Sequence, residues 1–189
     1  MTTIAAIQGD DFAVIGFDSR LTRGEGSRVY TLPRGNGKVS RNGSYLIGAA
    51  GDLRAINLVA DVLKLPDPDG YTAAKLDKFF STSIVPKIRS CFEDSGYGKD
   101  GSQDSDLIVC INGQVYELGG GYDWNRDSSG IYGIGSGGDY AVGALHCIVE
   151  KGITIEEAKE AMKTAMEIAL RLDSASGAPI NILVQEKTK

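Results

Sequence analysis

The sequence predicts an α+β protein of four layers, in which two mainly antiparallel β-sheets lie between two pairs of helices. Two observations predict this fold. The apolar segments occur in the order strands, two helices, strands, two helices and a last strand, and most strands are paired around tight turns. Such turns make antiparallel hairpins, and each sheet needs helices to cover its outer apolar face.

Two hairpins are predicted in the first half of the chain. Residues 2–8 and 12–17 are apolar runs separated by the turn signal Gly-Asp-Asp, and they predict the first hairpin. Residues 38–41 and 44–47 flank Asn42-Gly43, a pair typical of a type I′ turn. Both pairs of strands are therefore expected to be antiparallel.

The residues between and after these hairpins predict a loop and two helices. Residues 21–36 are polar and rich in glycine and arginine, so we expect mostly loop there. Apolar residues recur at helical spacing over 53–63, and this helix ends before Pro66. A second helix is predicted over 72–89, with Pro86 as the point where it kinks or shortens.

The second half of the chain repeats the order of strands and helices. Residues 107–111 and 114–118 flank Asn112-Gly113 and predict another hairpin. Residues 131–134 predict a short strand, which the run Gly-Ser-Gly-Gly joins to a helix over 139–151. This half therefore supplies the remaining strands and the second pair of helices.

The last helix begins at a capping box, formed by Thr154 and Glu157. It ends at the polar, glycine-containing segment 173–177, and residues 180–185 form the last predicted strand. The chain shows no repeat, linker or low-complexity tail, so we expect residues 1–189 to form a single domain.

The composition excludes several classes of protein. A net charge of −5 argues against nucleic-acid binding, which needs clustered lysine and arginine. The chain lacks the run of about 18 apolar residues that a membrane helix needs, and its start does not resemble a signal peptide. We therefore expect a cytoplasmic protein with reduced cysteines, at least two of them in the core: Cys91, Cys110 and Cys147.

The single histidine, His146, limits the catalytic chemistry. It lies in an apolar helical stretch and is predicted to be packed rather than catalytic. One histidine excludes a histidine-rich zinc site and argues against a Ser-His-Asp triad. The glycine-rich run 133–138 has no βαβ unit around it, which argues against a nucleotide site. We therefore expect neither a metal nor a cofactor.

Thr2 offers a catalytic group that needs no histidine. Removal of Met1 would place a free α-amino group next to the Thr2 hydroxyl. An α-amine has a pKa of about 7.7–8.0, so a useful fraction is neutral at physiological pH and can act as the base for the hydroxyl. Many proteins begin Met-Thr without any such role, so Thr2 needs supporting residues elsewhere.

Three positions further along the chain supply such support. Asp18 follows the second strand and can orient a lysine, and Lys38 opens the second hairpin and can supply a positive charge. Gly48 closes the same hairpin shortly before a helix, where a backbone N–H can receive the oxyanion of a tetrahedral intermediate. Each residue alone has an ordinary structural explanation, and only the combination suggests catalysis.

Six short motifs together resemble the proteasome β-subunit and HslV family of N-terminal nucleophile hydrolases, which are threonine peptidases. In chain order they are TTIAAI, FDSR, NGKV, IGAAGD, GSGGDYA and DSASG. They keep the family's order and approximate spacing over nearly the whole chain. The resemblance implies the four-layer αββα sandwich of the N-terminal nucleophile hydrolase fold.

The resemblance also implies a role for each matching residue. Thr2 would be the nucleophile, Asp18 and Lys38 the charge pair that tunes it, and the Gly48 N–H the oxyanion donor. The residues that would surround and orient the threonine amine are Ser136, Asp173 and Ser176. A retained Met1 would block the amine and leave a folded, inactive subunit.

The identity of the active-site cation has two candidates. Counted without gaps from Asp18, the family's lysine falls on Arg34. We prefer Lys38, because Lys38 and Gly48 lie almost symmetrically about Asn42-Gly43, as antiparallel pairing requires. Arginine is also a poor substitute, since it does not give up a proton.

The resemblance further implies a substrate and an assembly. By position relative to the family pattern, three residues would line an apolar specificity pocket: Leu21, Leu46 and Ala50. Family members form stacked rings that hydrolyse unfolded protein delivered by an ATPase ring, so a homo-oligomer with an ATPase partner is expected. Two alternatives remain: an inactive structural subunit of the same fold, and an N-terminal nucleophile amidohydrolase acting on a small molecule.

Overall fold

A computed structural model of the chain describes residues 1–23, 28–33, 37–68, 70–98 and 101–187. The strands within these ranges are β1 (Ile4–Gln8), β2 (Phe12–Phe17), β3 (Arg20–Arg23), β4 (Arg28–Thr31), β5 (Val39–Asn42), β6 (Tyr45–Ala50), β7 (Asp106–Ile111), β8 (Gln114–Leu118), β9 (Trp124–Asn125), β10 (Ile131–Ile134) and β11 (Asn181–Glu186). The α-helices are α1 (Leu53–Asn57), α2 (Ala73–Phe79), α3 (Val85–Asp94), α4 (Gly138–Ile148) and α5 (Ile155–Leu172).

Two antiparallel sheets make up the centre of the described structure. The first, which we call sheet I, has the strand order β10-β1-β2-β11. The second, sheet II, has the order β5-β6-β7-β8-β9. Strand β1 is therefore central in sheet I, with β2 and β10 on either side, and this position holds the start of the chain in place.

Three apolar layers separate four layers of secondary structure. Side chains alternate across β1: Ile4 and Ala6 pack between the two sheets, whereas Ala5 and Ile7 pack beneath α4 and α5. A third cluster joins the outer face of sheet II to α1, α2 and α3. The predicted αββα sandwich of antiparallel sheets between helices is thus confirmed.

The hairpin turns agree with the sequence to within one residue. Asn112 and Gly113 form the β7–β8 turn with φ angles of 48° and 74°, the left-handed pair that a type I′ turn requires. In the β5–β6 hairpin, Asn42 pairs with Tyr45, so the turn is Gly43-Ser44 rather than the predicted Asn42-Gly43. Gly43 alone supplies the left-handed angle there, at 58°.

The predicted loop over residues 21–36 is wrong where the chain forms β3 and β4. These strands pair antiparallel, with Leu21 opposite Tyr30, and β4 is exposed along its whole length. An exposed strand has no apolar face to bury, so it lacks the period-2 pattern that identifies half-buried strands. Residues 24–27 and 34–36 lie outside the described part of the chain.

The helix around Pro86 continues where a kink or shortening was expected. A π-helical turn over Phe80–Ile84 joins α2 to α3, and Pro86 occupies the second position of α3. Proline has no N–H to donate and its ring needs extra room in the preceding turn, which a wider π-helical turn provides. The helix therefore runs to Asp94. Another π-helical turn, Leu58–Val62, continues α1.

His146 is exposed on α4, so the prediction of a packed histidine is wrong. Ala141 and Leu145 face sheet I, and the next residue along a helix is rotated by about 100° away from that face. Of the cysteines, only Cys110 is fully buried, while Cys91 is half-buried and Cys147 is exposed. No helix in the described ranges is long and apolar enough to span a membrane.

Candidate active site

The start of the chain lies between the end of β2 and the turn that follows β10, and it is hydrogen-bonded to both. The Gly137 N–H donates to the Thr2 carbonyl at 3.2 Å. Gly135 has a φ of 80°, and a Cβ at this position would lie 2.2 Å from the same carbonyl oxygen. The glycines of the Gly-Ser-Gly-Gly motif thus allow its backbone to approach Thr2 closely.

Asp18 is a buried acceptor at the end of β2, with no exposed surface. Its Oδ1 atom accepts from the Thr3 N–H at 3.0 Å and from Lys38 Nζ at 2.5 Å. Its Oδ2 atom accepts from the backbone N–H groups of Arg20 and Gly177, both at 3.0 Å. This ring of donors satisfies the carboxylate without water and links β1, β2, Lys38 and the segment after α5.

Lys38 lies directly before β5 and is 1% exposed. Besides Asp18, its Nζ atom contacts the Met1 carbonyl oxygen at 3.2 Å. Burial lowers the pKa of Lys38, although the charge of Asp18 and the hydrogen bond to it act in the opposite direction. The ammonium group of Lys38 therefore lies against the peptide bond that joins Met1 to Thr2.

Asp173 forms a second acceptor centre at the end of α5. Its Oδ2 atom accepts from the hydroxyls of Ser176 at 2.6 Å and Ser136 at 2.8 Å, and its Oδ1 atom accepts from the Ala175 N–H at 3.2 Å. Burial raises the pKa of this carboxyl, but these hydrogen bonds and the nearby chain terminus outweigh burial and lower it overall. Asp173 is thus held ionised beside the start of the chain.

Thr2 itself is covered in this structure. It is 3% exposed, whereas Met1 is 58% exposed. Ser136, which donates to Asp173, is exposed, so the network reaches the surface on that side. Removal of Met1 would therefore uncover Thr2 and leave a free amine beside Lys38.

Gly48 lies inside β6, where its Cα pairs with Val39 on one side and Ile108 on the other. The next residue, Ala49, donates its N–H to the Lys38 carbonyl at 3.1 Å, which ties this strand to the cation. An oxyanion donor must have its N–H available to the substrate. The assignment of this role to Gly48 stays a prediction.

The predicted specificity residues do not lie on one open surface. Leu46 has no exposed surface and Ala50 has 3%, and both belong to the apolar layer between the sheets. Only Leu21, on β3, is partly exposed. Leu46 and Ala50 are core residues here because their side chains point toward sheet I, which covers them. The lining of a specificity pocket by these three residues stays a prediction.

The structure brings together Lys38 and Asp18, while Arg34 lies outside the described residues. It also adds residues that sequence reasoning missed. Thr3 bonds to Asp18 and to Ser176, and Arg20 donates from Nη1 to the Ser174 carbonyl at 3.0 Å. The doubled threonine of TTIAAI and the arginine of FDSR were the available signals. Thr3 directly follows Thr2, and Arg20 lies two residues after Asp18.

Other features of the described residues add no second centre. No group of histidine, cysteine and acidic side chains within the described ranges is placed to hold a metal ion. A groove of about 700 Å³ runs between the edges of β5 and β11, and Thr2 does not line it. The polar side chains that converge on the start of the chain are Asp18, Lys38 and Asp173.

The sequence resembles a eukaryotic proteasome subunit. It is 26% identical to the probable proteasome subunit beta type-1 of Schizosaccharomyces pombe over 200 residues, which cover 98% of this chain and 80% of the relative. No model of a known protein family matches the chain. The sequence match is therefore a distant one that extends over almost the whole chain.

Solved structures agree with this relationship. Thiobacillus denitrificans BPH in complex with epoxomicin matches with a TM-score of 0.77 at 18% identity, covering 99% of this chain and 100% of that one. HslV from Trypanosoma brucei matches with a TM-score of 0.68 at 23% identity, covering 97% and 99%. The chain is thus a proteasome-β- and HslV-like protein with the N-terminal nucleophile hydrolase fold.

Proposed function

We propose that this chain is a threonine peptidase subunit in which Thr2, once it is the first residue, hydrolyses peptide bonds through an acyl-enzyme. One observation carries the proposal. The buried Lys38 ammonium donates to the Met1 carbonyl, the acyl group attached to the Thr2 nitrogen. Loss of Met1 would leave the Thr2 amine and hydroxyl beside a cation that Asp18 already holds in place.

The proposed reaction needs only groups of this chain and water. The neutral Thr2 amine accepts the hydroxyl proton, directly or through water, and the Thr2 oxygen attacks the scissile carbonyl carbon. The C–N bond then breaks, the leaving amine takes the proton, and a Thr2 ester remains. Water hydrolyses this ester and restores the hydroxyl. Lys38 stabilises the developing negative charge, and Asp173 with its serines orients the amine.

The same resemblance supports proposals about assembly. We propose a cytoplasmic homo-oligomer of stacked rings, with peptides or unfolded proteins as substrates and an ATPase unfoldase as partner. The similar proteins include a probable proteasome subunit and an HslV, and the chain shares the fold of the HslV. Native mass spectrometry of the purified protein would give the subunit number and would show whether a ring forms.

Activity is tested first by the mass of the purified protein, which should lack one methionine. Fluorogenic peptides with apolar residues before the cleaved bond should then be hydrolysed. Thr2→Ala should reduce kcat by at least about a thousandfold, because it removes the nucleophile, while Thr2→Ser should retain part of it. The matched control is Thr164→Ala, which changes an exposed threonine on α5 and should leave kcat unchanged.

A second candidate is an inactive structural subunit that retains Met1. With Met1 present, Thr2 is 3% exposed and its nitrogen is part of a peptide bond, so it cannot act as a base. A purified protein that keeps Met1, assembles and cleaves no peptide would support this candidate. A protein that loses Met1 and hydrolyses small amides but not peptides would instead support the small-molecule amidohydrolase.

A further inference from the structure

Thr3 is a buried hydroxyl residue that the proposed reaction does not use. It has no exposed surface, and its backbone pairs with Asp18: the Thr3 N–H donates to Asp18 Oδ1 at 3.0 Å, and the Thr3 carbonyl accepts from the Asp18 N–H at 3.2 Å. Its side chain points the other way. Thr3 Oγ1 lies 2.7 Å from Ser176 Oγ.

The direction of the Thr3–Ser176 hydrogen bond follows from the number of available protons. A serine hydroxyl has one proton, and Ser176 donates it to Asp173, because an ionised carboxylate only accepts. Thr3 is therefore the donor to Ser176. The result is a directed chain in which Thr3 donates to Ser176 and Ser176 donates to Asp173, which also accepts from Ser136.

Gly137 leaves the space that the Thr3 side chain occupies. A Cβ at position 137 would lie 1.8 Å from Thr3 Oγ1 and 3.1 Å from Asp173 Oδ2. Glycine is the only residue type without a Cβ. Gly137, the third residue of Gly-Ser-Gly-Gly, therefore leaves room for the Thr3 side chain that any other residue would overlap. The same glycine donates its N–H to the Thr2 carbonyl.

We propose that Thr3 is a positioning residue for the Thr2 amine, acting through the directed hydrogen bonds from Thr3 to Ser176 and from Ser176 to Asp173. It joins the two polar centres of the site, since its backbone contacts Asp18 and its hydroxyl contacts Ser176. This inference rests on the proposed function in one respect, namely that a free Thr2 amine is the catalytic base.

The physical reason is the sharing of charge along the chain of hydroxyls. A donor to Ser176 polarises its O–H bond and strengthens its donation to Asp173. Without that donor, Asp173 keeps more unshared negative charge, and this charge holds the Thr2 amine more firmly as an ammonium ion. A smaller fraction of neutral amine means fewer molecules in which Thr2 can be activated.

Thr3→Val and Thr3→Ser separate the hydroxyl from the shape of the side chain. Valine keeps the shape and removes the donor, so kcat for a fluorogenic peptide should fall about tenfold with KM nearly unchanged. Serine keeps the donor and should restore kcat to within about threefold of the parent. A Thr3→Val protein that folds and keeps the parent kcat would overturn the proposal, as would a Thr3→Ser protein that is as slow as Thr3→Val.

A second readout does not require peptidase activity. Trace acetylation of the N-terminal amine, measured by peptide mass spectrometry against the exposed Lys163 as internal reference, reports the neutral fraction of the amine. Thr3→Val should slow this acetylation by about threefold or more at neutral pH, and Thr3→Ser should not. If the parent cleaves no peptide but this difference appears, the proposed function fails and the role of Thr3 stands. Equal acetylation rates in the three proteins would refute that role.

Discussion

Lys38 and Asp18 form an ion pair of 2.5 Å in which neither side chain is more than 1% exposed. A buried pair of this kind needs every remaining donor and acceptor satisfied, because the charges have lost their water. Asp18 also accepts from three backbone N–H groups, and Lys38 also donates to the Met1 carbonyl. The pair is therefore part of how the chain start is folded as well as part of the proposed chemistry.

Replacing Lys38 should damage both stability and activity. Lys38→Met leaves the Asp18 carboxylate buried without its cation, and we expect unfolding in urea to require about 3–5 kcal/mol less free energy. Peptidase activity should be lost as well. Lys159→Met, which breaks the exposed pair with Glu156, should change stability by less than about 1 kcal/mol.

The peptidase assay also decides whether Lys38 or Arg34 is the active-site cation. Arg34→Ala should leave kcat close to that of the parent, because Lys38 already fills the position beside Asp18. If Arg34→Ala abolishes activity while a folded Lys38 variant remains active, Arg34 is the active-site cation and the choice of Lys38 is wrong.

A methyl group at position 137 should lower the stability of the fold, whereas a methyl group on an open helix face should not. Gly137→Ala places a Cβ 1.8 Å from Thr3 Oγ1, and we expect a loss of about 1–3 kcal/mol of stability. Gly143→Ala, within α4, meets nothing within 4 Å and should stabilise the protein by about 0.5–1 kcal/mol. Thermal or urea unfolding measures both changes, and equal effects would contradict the packing described for Thr3.

The cysteines provide a test of the fold itself. Burial raises the pKa of Cys110 to about 12, and it also raises the pKa of the half-buried Cys91. Iodoacetamide at pH 8 should therefore modify the exposed Cys147 first, Cys91 slowly, and Cys110 only after unfolding. Peptide mapping by mass spectrometry gives the order, and early modification of Cys110 would disprove the packing between the sheets.

Ser136 should affect stability in acid. Burial raises the pKa of Asp173, but hydrogen bonds, including the one from Ser136, lower this pKa overall. A carboxyl with a lowered folded pKa contributes stability that is present above its unfolded pKa and is lost as pH falls through the folded value. Ser136→Ala should move the folded pKa back up, so acid unfolding, followed by circular dichroism, should begin at a higher pH. Ser128→Ala, at an exposed serine, should leave the unfolding midpoint unchanged.

Local patterns in the sequence were sufficient for most of the fold. Hairpins such as β7–β8 and the start of α5 at its Thr154–Glu157 capping box follow from residues adjacent in the chain, so they could be predicted without tertiary information. The β3–β4 hairpin could not be predicted in this way, because β4 is exposed and has no apolar face. The exposure of His146 could not be predicted either, because it depends on which side of α4 meets sheet I.

The sequence by itself determined the layered fold and the motifs that lie near Thr2, because periodicity and turn chemistry act over a few residues. Only the tertiary structure decided which side chains meet. It placed Lys38 against Asp18, buried Leu46 between the sheets, and joined Thr3 to Ser176 across 173 positions of the chain. Contacts of this kind depend on how strands and loops pack in three dimensions, and hydrogen bonds lose most of their strength within a shift of about 1 Å. For that reason a motif can indicate the neighbourhood of a site, whereas the partners of each atom have to be read from the folded chain.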